Sequence, residues 1–443
     1  MRPEGLMAAS FALLIFVGTV LLVLPMAHVS GRVNLLDALF TATSAVCVTG
    51  LIVVDTGQDF TRFGQVVILV LIQFGGLGIM TFAALAAQMF GRRVSFRSQA
   101  VLADTFYQRE AAGALKKNLK RIVALTLVLE LAGAWLLYLD FRHTANGHPP
   151  LFSAVFHSIS AFCNAGFSLN SESFTLYRGH FLTMFTVIAL IVFGGLGHTV
   201  VLETIRRIGG RLWRRSRLPV QWSLNTRVVL VSSAALIAVG TVFLLVLGLG
   251  EDEPGWSELL PNALFQSVTA RTAGFNTIEI SALPTASLLV LIGLMFVGGS
   301  PGSCAGGIKT TSIAVGYAYL RSKIRSTPDV ALFGRRLPRS IVARAVVIGG
   351  LAIIWNALGC VILAATELPQ CGFPFESVLF EQISAFATVG LSTGITSQLT
   401  VIGKLWIVLT MFVGRLGPLA MALAVTPPRT ADVRHPEERL MIG

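Results

Sequence analysis

Residues 385–394 read AFATVGLSTG, and three earlier stretches are near-copies: TSAVCVTGL (43–51), ISAFCNAGF (159–167) and TARTAGFNT (269–277). Aligned on Gly50, Gly166, Gly274 and Gly390, they recur at spacings of 116, 108 and 116 residues. One unusual peptide used four times marks an internal fourfold repeat. Each copy follows a short apolar segment: NLLDALFTATSAV (34–46), PLFSAVFHSISAF (150–162), PNALFQSVTART (261–272) and PFESVLFEQISAF (374–386). Each segment opens on Asn or Pro, residues that start a helix at little cost. About 12 helical residues are too few to cross a bilayer, which needs roughly 20.

The surroundings are membrane-like. Of 443 residues, 54% are hydrophobic and 13% charged, whereas soluble domains carry about 25% charged residues. Eight apolar stretches can be placed, at 7–25, 62–90, 121–140, 178–204, 228–249, 284–319, 342–365 and 401–424, and they point to an integral membrane protein. The first is not a signal peptide: it lacks a small-residue cleavage site and runs straight on into NLLDALFTATSAVCV. The unit is therefore span, half-helix entering from the outer side, glycine stretch, span. The expected fold is an all-α polytopic membrane protein of four fused helix–pore-helix–helix repeats around a central pore, with eight transmembrane helices. The repeats run 1–115, 116–222, 223–338 and 339–443, the last with a tail.

Charge sets the orientation. Arg92, Arg93, Arg97, Arg109, Lys116, Lys117, Lys120 and Arg121 follow the second stretch. RRIGGRLWRRSR (206–217) and Arg227 follow the fourth, and Arg321, Lys323, Arg325, Arg335, Arg336, Arg339 and Arg344 the sixth. Two of the intervening connections are acidic, EDEPGW (251–256) and TELPQ (366–370). Basic loops stay cytoplasmic, so both termini are expected there, in agreement with Arg429, Arg434 and Arg439 in the tail. Topology thus accounts for the net charge of +12 better than a nucleic-acid partner does. Cys47, Cys163, Cys304, Cys360 and Cys371 share no CxxC spacing, which gives no support to a zinc site or a disulfide framework.

Non-helical backbone at membrane depth is tolerated when it is buried in protein or lines a water-filled cavity. A ring of carbonyls lining a cavity can replace the hydration shell of a cation. The candidate ring is Val48, Thr49, Gly50, Asn164, Ala165, Gly166, Thr272, Ala273, Gly274, Thr388, Val389 and Gly390. The half-helices aim their C-terminal ends at the cavity, and that end carries partial negative charge, favouring a cation. The nearest carboxylate, Glu381, lies nine residues before Gly390, so selection by carbonyls is expected.

The competing use of glycine is close helix packing. It accounts for a second set, QFGGLG (73–78), VFGGLG (192–197), FVGGSPG (296–302) and FVGRLGP (412–418), 24 to 28 residues after each ring glycine. The last two depart from that pattern. GGSPGSCAGGIKTT (298–311) cannot be regular helix and should break the sixth span beneath the ring. Gly298, Gly299, Pro301, Gly302, Gly306, Gly307 and Lys309 are candidates for a gate, the alternative being a structural kink. Arg415, in place of a packing glycine, either raises a barrier to cations or locks the broken span. Lys404 should snorkel outward, and Glu130 and Glu203 read as structural. HExxH and paired carboxylates are absent, which argues against those enzyme classes, and GGLG lacks the strand–turn–helix context of a nucleotide site.

On VTGL (48–51), NAGF (164–167), TAGF (272–275), TVGL (388–391), the glycine-rich loop and Arg415, the chain resembles the membrane subunit of the Trk/Ktr/HKT superfamily of potassium transporters. The likeness covers residues 8–425 and is closest to the bacterial KtrB type. It implies potassium as substrate, met by backbone carbonyls at Gly50, Gly166, Gly274 and Gly390, and a gating loop at about 298–310 with a pore arginine at Arg415. It further implies a homodimer with one pore per subunit in the inner or plasma membrane. A cytoplasmic ring of KtrA-type regulatory subunits would carry any nucleotide, this chain binding no cofactor, and sodium stimulates many Ktr systems. Trk-type members carry two further helices before the first repeat, and a first span beginning by residue 8 favours the Ktr type. A Trk-type subunit or an alternating-access cation symporter are the alternatives; symporters also use broken helices, generally with inverted or paired repeats.

Overall fold

The computed structural model describes residues 3–29, 33–78, 112–144, 147–212, 222–249 and 256–417. The basic stretch at 91–111, Arg214, Arg215 and Arg217, the acidic 251–255 and the tail after Gly417 lie outside the described residues. So do the parts of the second and eighth apolar stretches beyond 78 and 417.

Among the described residues the protein is helical, apart from a hairpin of β1 (Ala331–Leu332) and β2 (Arg335–Arg336). The helices form four sequential units. The first is α1 (Pro3–Val23), the half-helix α2 (Leu35–Cys47) and α3 (Arg62–Leu77). The second is α4 (Ala112–Phe141), half-helix α5 (Pro150–Phe162) and α6 (Phe181–Leu196), followed by α7 (His198–Leu212). The third is α8 (Leu224–Leu247), half-helix α9 (Trp256–Thr269), α10 (Thr285–Phe296) and α11 (Thr310–Ile324). The fourth is α12 (Arg339–Cys371), half-helix α13 (Phe375–Ala387) and α14 (Val401–Leu416).

Local chemistry sets the half-helix starts. Asn34 Oδ1 accepts from Asp37 N at 2.9 Å while Asp37 receives Asn34 N, a reciprocal cap. Pro149 and Pro374 precede α5 and α13. Pro261 does not open its half-helix: α9 begins five residues earlier at Trp256, leaving the proline inside. As the sixth residue of α9 it lacks the N–H that would bond back four residues, so the helix forgoes one rung of its ladder there.

Among the described residues three helices are long and apolar enough to cross a membrane singly, α4 over Lys120–Phe141, α8 and α12, and the bent pair α6 and α7 makes a fourth if it counts as one span. The reason is common to the second helix of three units. α3, α6 and α14 stop at Leu77, Leu196 and Leu416, each followed by a glycine at positive φ: Gly78 (+77°), Gly197 (+84°) and Gly417 (+88°). Glycine takes such positive φ at no steric cost, and a backbone that turns this way leaves the helix. The stretch expected to span at 178–204 therefore ends at Leu196, and α7 turns away by 107°. The sixth stretch does break in its middle, between Phe296 and Thr310. TELPQ is no loop: α12 continues to Cys371, and buried Glu367 accepts from Thr400 N (2.9 Å) and Oγ1 (2.7 Å) at the start of α14.

Packing closes the units on one another. α3 packs against α5, α6 against α9, α10 against α13, and α14 returns to α2. The half-helices are buried along most of their length. The long helices instead expose bulky apolar side chains, such as Leu131 (67%), Val246 (76%) and Ile354 (66%). An apolar surface of that extent suits lipid as its solvent.

Candidate functional site

The four glycine stretches meet at the centre. A Cβ at Gly50 would run into the carbonyl oxygen of Ala165 and the Cα of Gly166; at Gly166, those of Ala273 and Gly274. One at Gly274 would meet Val389 O and the Gly390 Cα, and one at Gly390 would meet Thr49 O and the Gly50 Cα. Each glycine is thus walled by the carbonyl preceding the next, and the sequence of neighbours closes on itself. Their φ values are +94°, +70°, +80° and +93°, so glycine serves both the close approach and the backbone angle.

The residue two before each glycine is also left-handed: Val48 (+57°), Asn164 (+59°), Thr272 (+90°) and Thr388 (+49°). Three of these are β-branched, for which positive φ is rare. Strain of about 1–3 kcal/mol per residue, held at one register four times, marks a functional constraint rather than a loop accident.

The last turn of each half-helix consumes the amides behind the ring. Thr49 N, Ala165 N and Val389 N donate to Ser44 O (2.8 Å), Ser160 O (2.8 Å) and Ser384 O (2.9 Å). Ser44 Oγ and Ser384 Oγ accept from Gly50 N (3.0 Å) and Gly390 N (3.1 Å). Ser160, Thr269 and Ser384 donate their hydroxyls to Phe167 O (2.8 Å), Phe275 O (2.7 Å) and Leu391 O (2.6 Å). With donors engaged behind, carbonyls remain for the ring. Sequence reasoning missed these four hydroxyls. Their signal was present: a Ser six residues before the glycine in three stretches, and a Thr five before it in the third.

Glu381 faces the loop behind the ring, accepting from Ser392 Oγ (2.5 Å), Thr396 Oγ1 (2.8 Å) and Thr393 N (3.1 Å). His157, at the same register before Gly166, likewise takes Ser168 Oγ at 3.0 Å and Leu169 N at 3.3 Å. Both fasten the returning chain. The Thr49 and Thr388 hydroxyls are buried without a partner among the described residues.

The glycine-rich loop at 297–309 gathers the second set of candidates in one place. Ser300 N and Cys304 N donate to Gly195 O (3.1 Å) and Gly194 O (3.3 Å) at the end of α6. Gly306 lies against the Thr388 side chain and Gly307 against Ala387, on the half-helix side of the ring. Gly298 abuts Gly306 O, Gly299 faces Ala305, Pro301 O abuts Gly197, and Gly302 faces His198. Lys309 Nζ donates to Ala305 O at 2.6 Å. Arg415, from α14, donates to Cys304 O in the loop and to Gly75 O at the end of α3. The structure therefore gathers these residues in one loop, with Gly306 and Gly307 against the fourth half-helix and its glycine stretch, Pro301 and Gly302 at the break between α6 and α7, and Arg415 tying the loop to α3.

Lys404 does not snorkel; it turns inward to Asp37 at 3.8 Å, both side chains largely buried. Glu130 is held by Gln73 Nε2 at 3.1 and 3.3 Å, and Glu203 by Ser223 and Thr226, so both carry structural bonds. Among the described residues no group of three or more His, Cys, Asp or Glu is placed to hold a metal.

A buried ring of glycine carbonyls inside lipid-facing helices is the arrangement of a membrane transport protein. The chain matches the family described as "Cation transport protein" (TrkH) over residues 7–430, and it belongs to that family. It is a multi-pass membrane protein with no catalytic role. It is 38% identical to Ktr system potassium uptake protein B of Vibrio alginolyticus, across 98% of this chain and 93% of that one. It is 34% identical to the Bacillus subtilis protein of the same name (100% and 97% covered). Identity is also 34% to the potassium/sodium uptake protein NtpJ of Enterococcus hirae (100% and 98%). The crystal structure of the potassium transporter TrkH from Vibrio parahaemolyticus shares the fold, with a TM-score of 0.73 at 19% identity over 95% of this chain and 84% of that one.

Proposed function

We propose that the chain transports potassium through its own central pathway, with the glycine ring as selectivity filter. The single observation that carries this is the closed ring Gly50, Gly166, Gly274, Gly390, each walled by its neighbour's carbonyl. The family match and the potassium uptake relatives support a Trk-type potassium transporter subunit as the broader reading, ahead of any finer one. The partnerless hydroxyls of Thr49 and Thr388 fit a wet, ion-bearing axis.

The finer reading is a channel-like path of four fused repeats and eight transmembrane helices, both termini cytoplasmic. The breaks before Leu224 and Arg339 suit repeat boundaries at 222/223 and 338/339, while 115/116 falls just inside α4. Filter residues are Val48, Thr49, Asn164, Ala165, Thr272, Ala273, Val389 and Thr388 with the four glycines. The gate is the loop carrying Gly298, Gly299, Pro301, Gly302, Gly306, Gly307 and Lys309, fastened by Arg415. A homodimer, control by a KtrA-type ring that binds the nucleotide, and sodium stimulation complete it, on the strength of the Ktr relatives.

The test is rubidium uptake into liposomes with potassium, sodium and lithium as competitors, for Gly50→Ser and its counterparts at 166, 274 and 390. Losing one site's discrimination of about 1.4 kcal/mol narrows potassium over sodium about tenfold. Unchanged selectivity in all four folded variants rules out the filter assignment.

A further inference from the structure

A groove of about 1070 Å³ opens between α8, α11 and the hairpin at 331–336. Its walls are apolar, with Val228, Val231 and Ala235 on one side and Ile313 and Tyr317 on the other. Its charged side chains stand at one end, with Arg321 and Arg325 at the close of α11. Both are exposed. Asp329 shares that mouth, but Arg336 engages its carboxylate at 2.9 Å, so the mouth remains positive. The opposite end is formed by Val297 and Thr310, the residues that flank the glycine-rich loop.

The dimensions identify the occupant. From Thr310 to Arg321, α11 rises about 16 Å, close to half of a ~30 Å hydrocarbon core. The groove is therefore one leaflet deep, apolar along its depth and basic at its mouth. A soluble ligand of that size would need polar anchors along its length. An acyl chain needs none, and two guanidinium groups suit a phosphate.

We propose that this groove binds one anionic phospholipid of the leaflet on the basic side, its chain along α8 and α11 and its phosphate on Arg321 and Arg325. A bilayer chain already lies in hydrocarbon, so the apolar wall gives fit and the arginines give the preference for an anionic headgroup. The chain's end lies against Val297 and Thr310, so occupancy biases the conformation of the loop. Binding stands on the groove alone; the effect on the loop rests on the transport reading above.

Purified full-length protein is incubated with equal phosphatidylglycerol and phosphatidylcholine of matched chains, and bound lipid is read by native mass spectrometry. Wild type is expected to retain phosphatidylglycerol about tenfold over phosphatidylcholine. Arg321→Gln with Arg325→Gln should erase that preference at unchanged melting temperature. Ala314→Trp, which fills the groove, should lose both lipids. A preference that survives the double variant overturns the site, as does equal protection of the protein by inorganic phosphate. A shift in oligomeric mass with lipid retention unchanged assigns the face to a second copy instead. Rubidium flux from phosphatidylcholine vesicles with and without phosphatidylglycerol tests the second step. Flux that ignores the lipid despite binding overturns the link to the loop, whereas no flux at all counts against the transport reading and leaves the binding result standing.

Discussion

The second helices of the second and third units break at the same station in opposite ways. α6 runs two residues beyond Gly194 and breaks at the single residue Gly197, whereas α10 stops two residues short of Gly298 and resumes only at Thr310. In α6, as in α3 and α14, the station glycine presses on its own half-helix. A Cβ at Gly75, Gly194 or Gly414 would strike Val46 O, Phe162 O or Phe386 O. Gly298 instead faces Gly306 O of its own loop. Three units thus clamp their half-helices with regular helix, and the third leaves a detached segment. That segment is held from outside, by the Gly194 and Gly195 carbonyls of the second unit and by Arg415 of the fourth.

The largest effect should come from cutting the outer tie. Arg415→Ala removes charge-assisted bonds to Cys304 O and Gly75 O, each worth about 1.5–3 kcal/mol. Loss of even one shifts a loop equilibrium by about tenfold, and rubidium flux in partner-free liposomes is expected to rise accordingly. A barrier would give the same rise, so Arg415→Lys separates the two roles. It keeps the charge but loses the planar fork; a lock predicts raised flux with lysine, and a barrier predicts wild-type flux.

The clamp itself gives the next effect. Gly414→Ala forces a Cβ onto the Phe386 carbonyl within packed helix, an overpacking cost of about 1–3 kcal/mol, and the thermal midpoint should fall. Gly298→Ala meets a carbonyl of a loop able to shift, so its midpoint should fall less while flux changes more. Equal losses of stability with flux unaltered in both would erase the distinction between clamped and detached units.

The half-helices, the ring glycines and the break in the sixth stretch were legible because each is a local pattern: a capped apolar dozen, a four-residue signature, a run of glycine with Pro301. The stops at Gly78, Gly197 and Gly417 were not, since Gly-Leu-Gly (76–78 and 195–197) and Gly-Arg-Leu-Gly (414–417) within apolar runs read equally well as helix packing. Lys404 reads as an interfacial residue in the sequence because its partner Asp37 belongs to another unit. The Arg415 contact with Gly75 spans 340 residues, and no sequence period pairs such positions. The ring hydroxyls were visible as Ser44, Ser160, Thr269 and Ser384, but a serine in a half-helix looks like ordinary polar seasoning until its bond to the ring peptide is seen.

The smallest expected effect tests whether the one-residue break and the long loop work together. α7 leaves α6 at Gly197, where Pro301 O and Gly302 occupy the space of a Cβ, so a tilt of α7 is felt by the loop. Glu203 fixes that tilt, accepting from Ser223 N (2.8 Å), Ser223 Oγ (2.8 Å) and Thr226 Oγ1 (2.5 Å) at the start of α8. Arg207 adds a second fastening, 4.6 Å over the Trp222 ring. Glu203→Gln keeps the shape and loses the charge, weakening these bonds by about half, so flux should change by only a few-fold, less than with Arg415→Ala. The decisive measurement is the double variant. If α7 acts through the loop, the two substitutions share one equilibrium and their effects on flux fall short of the product of the singles. Multiplicative effects would mean that the hinge at Gly197 and the loop at 297–309 move independently.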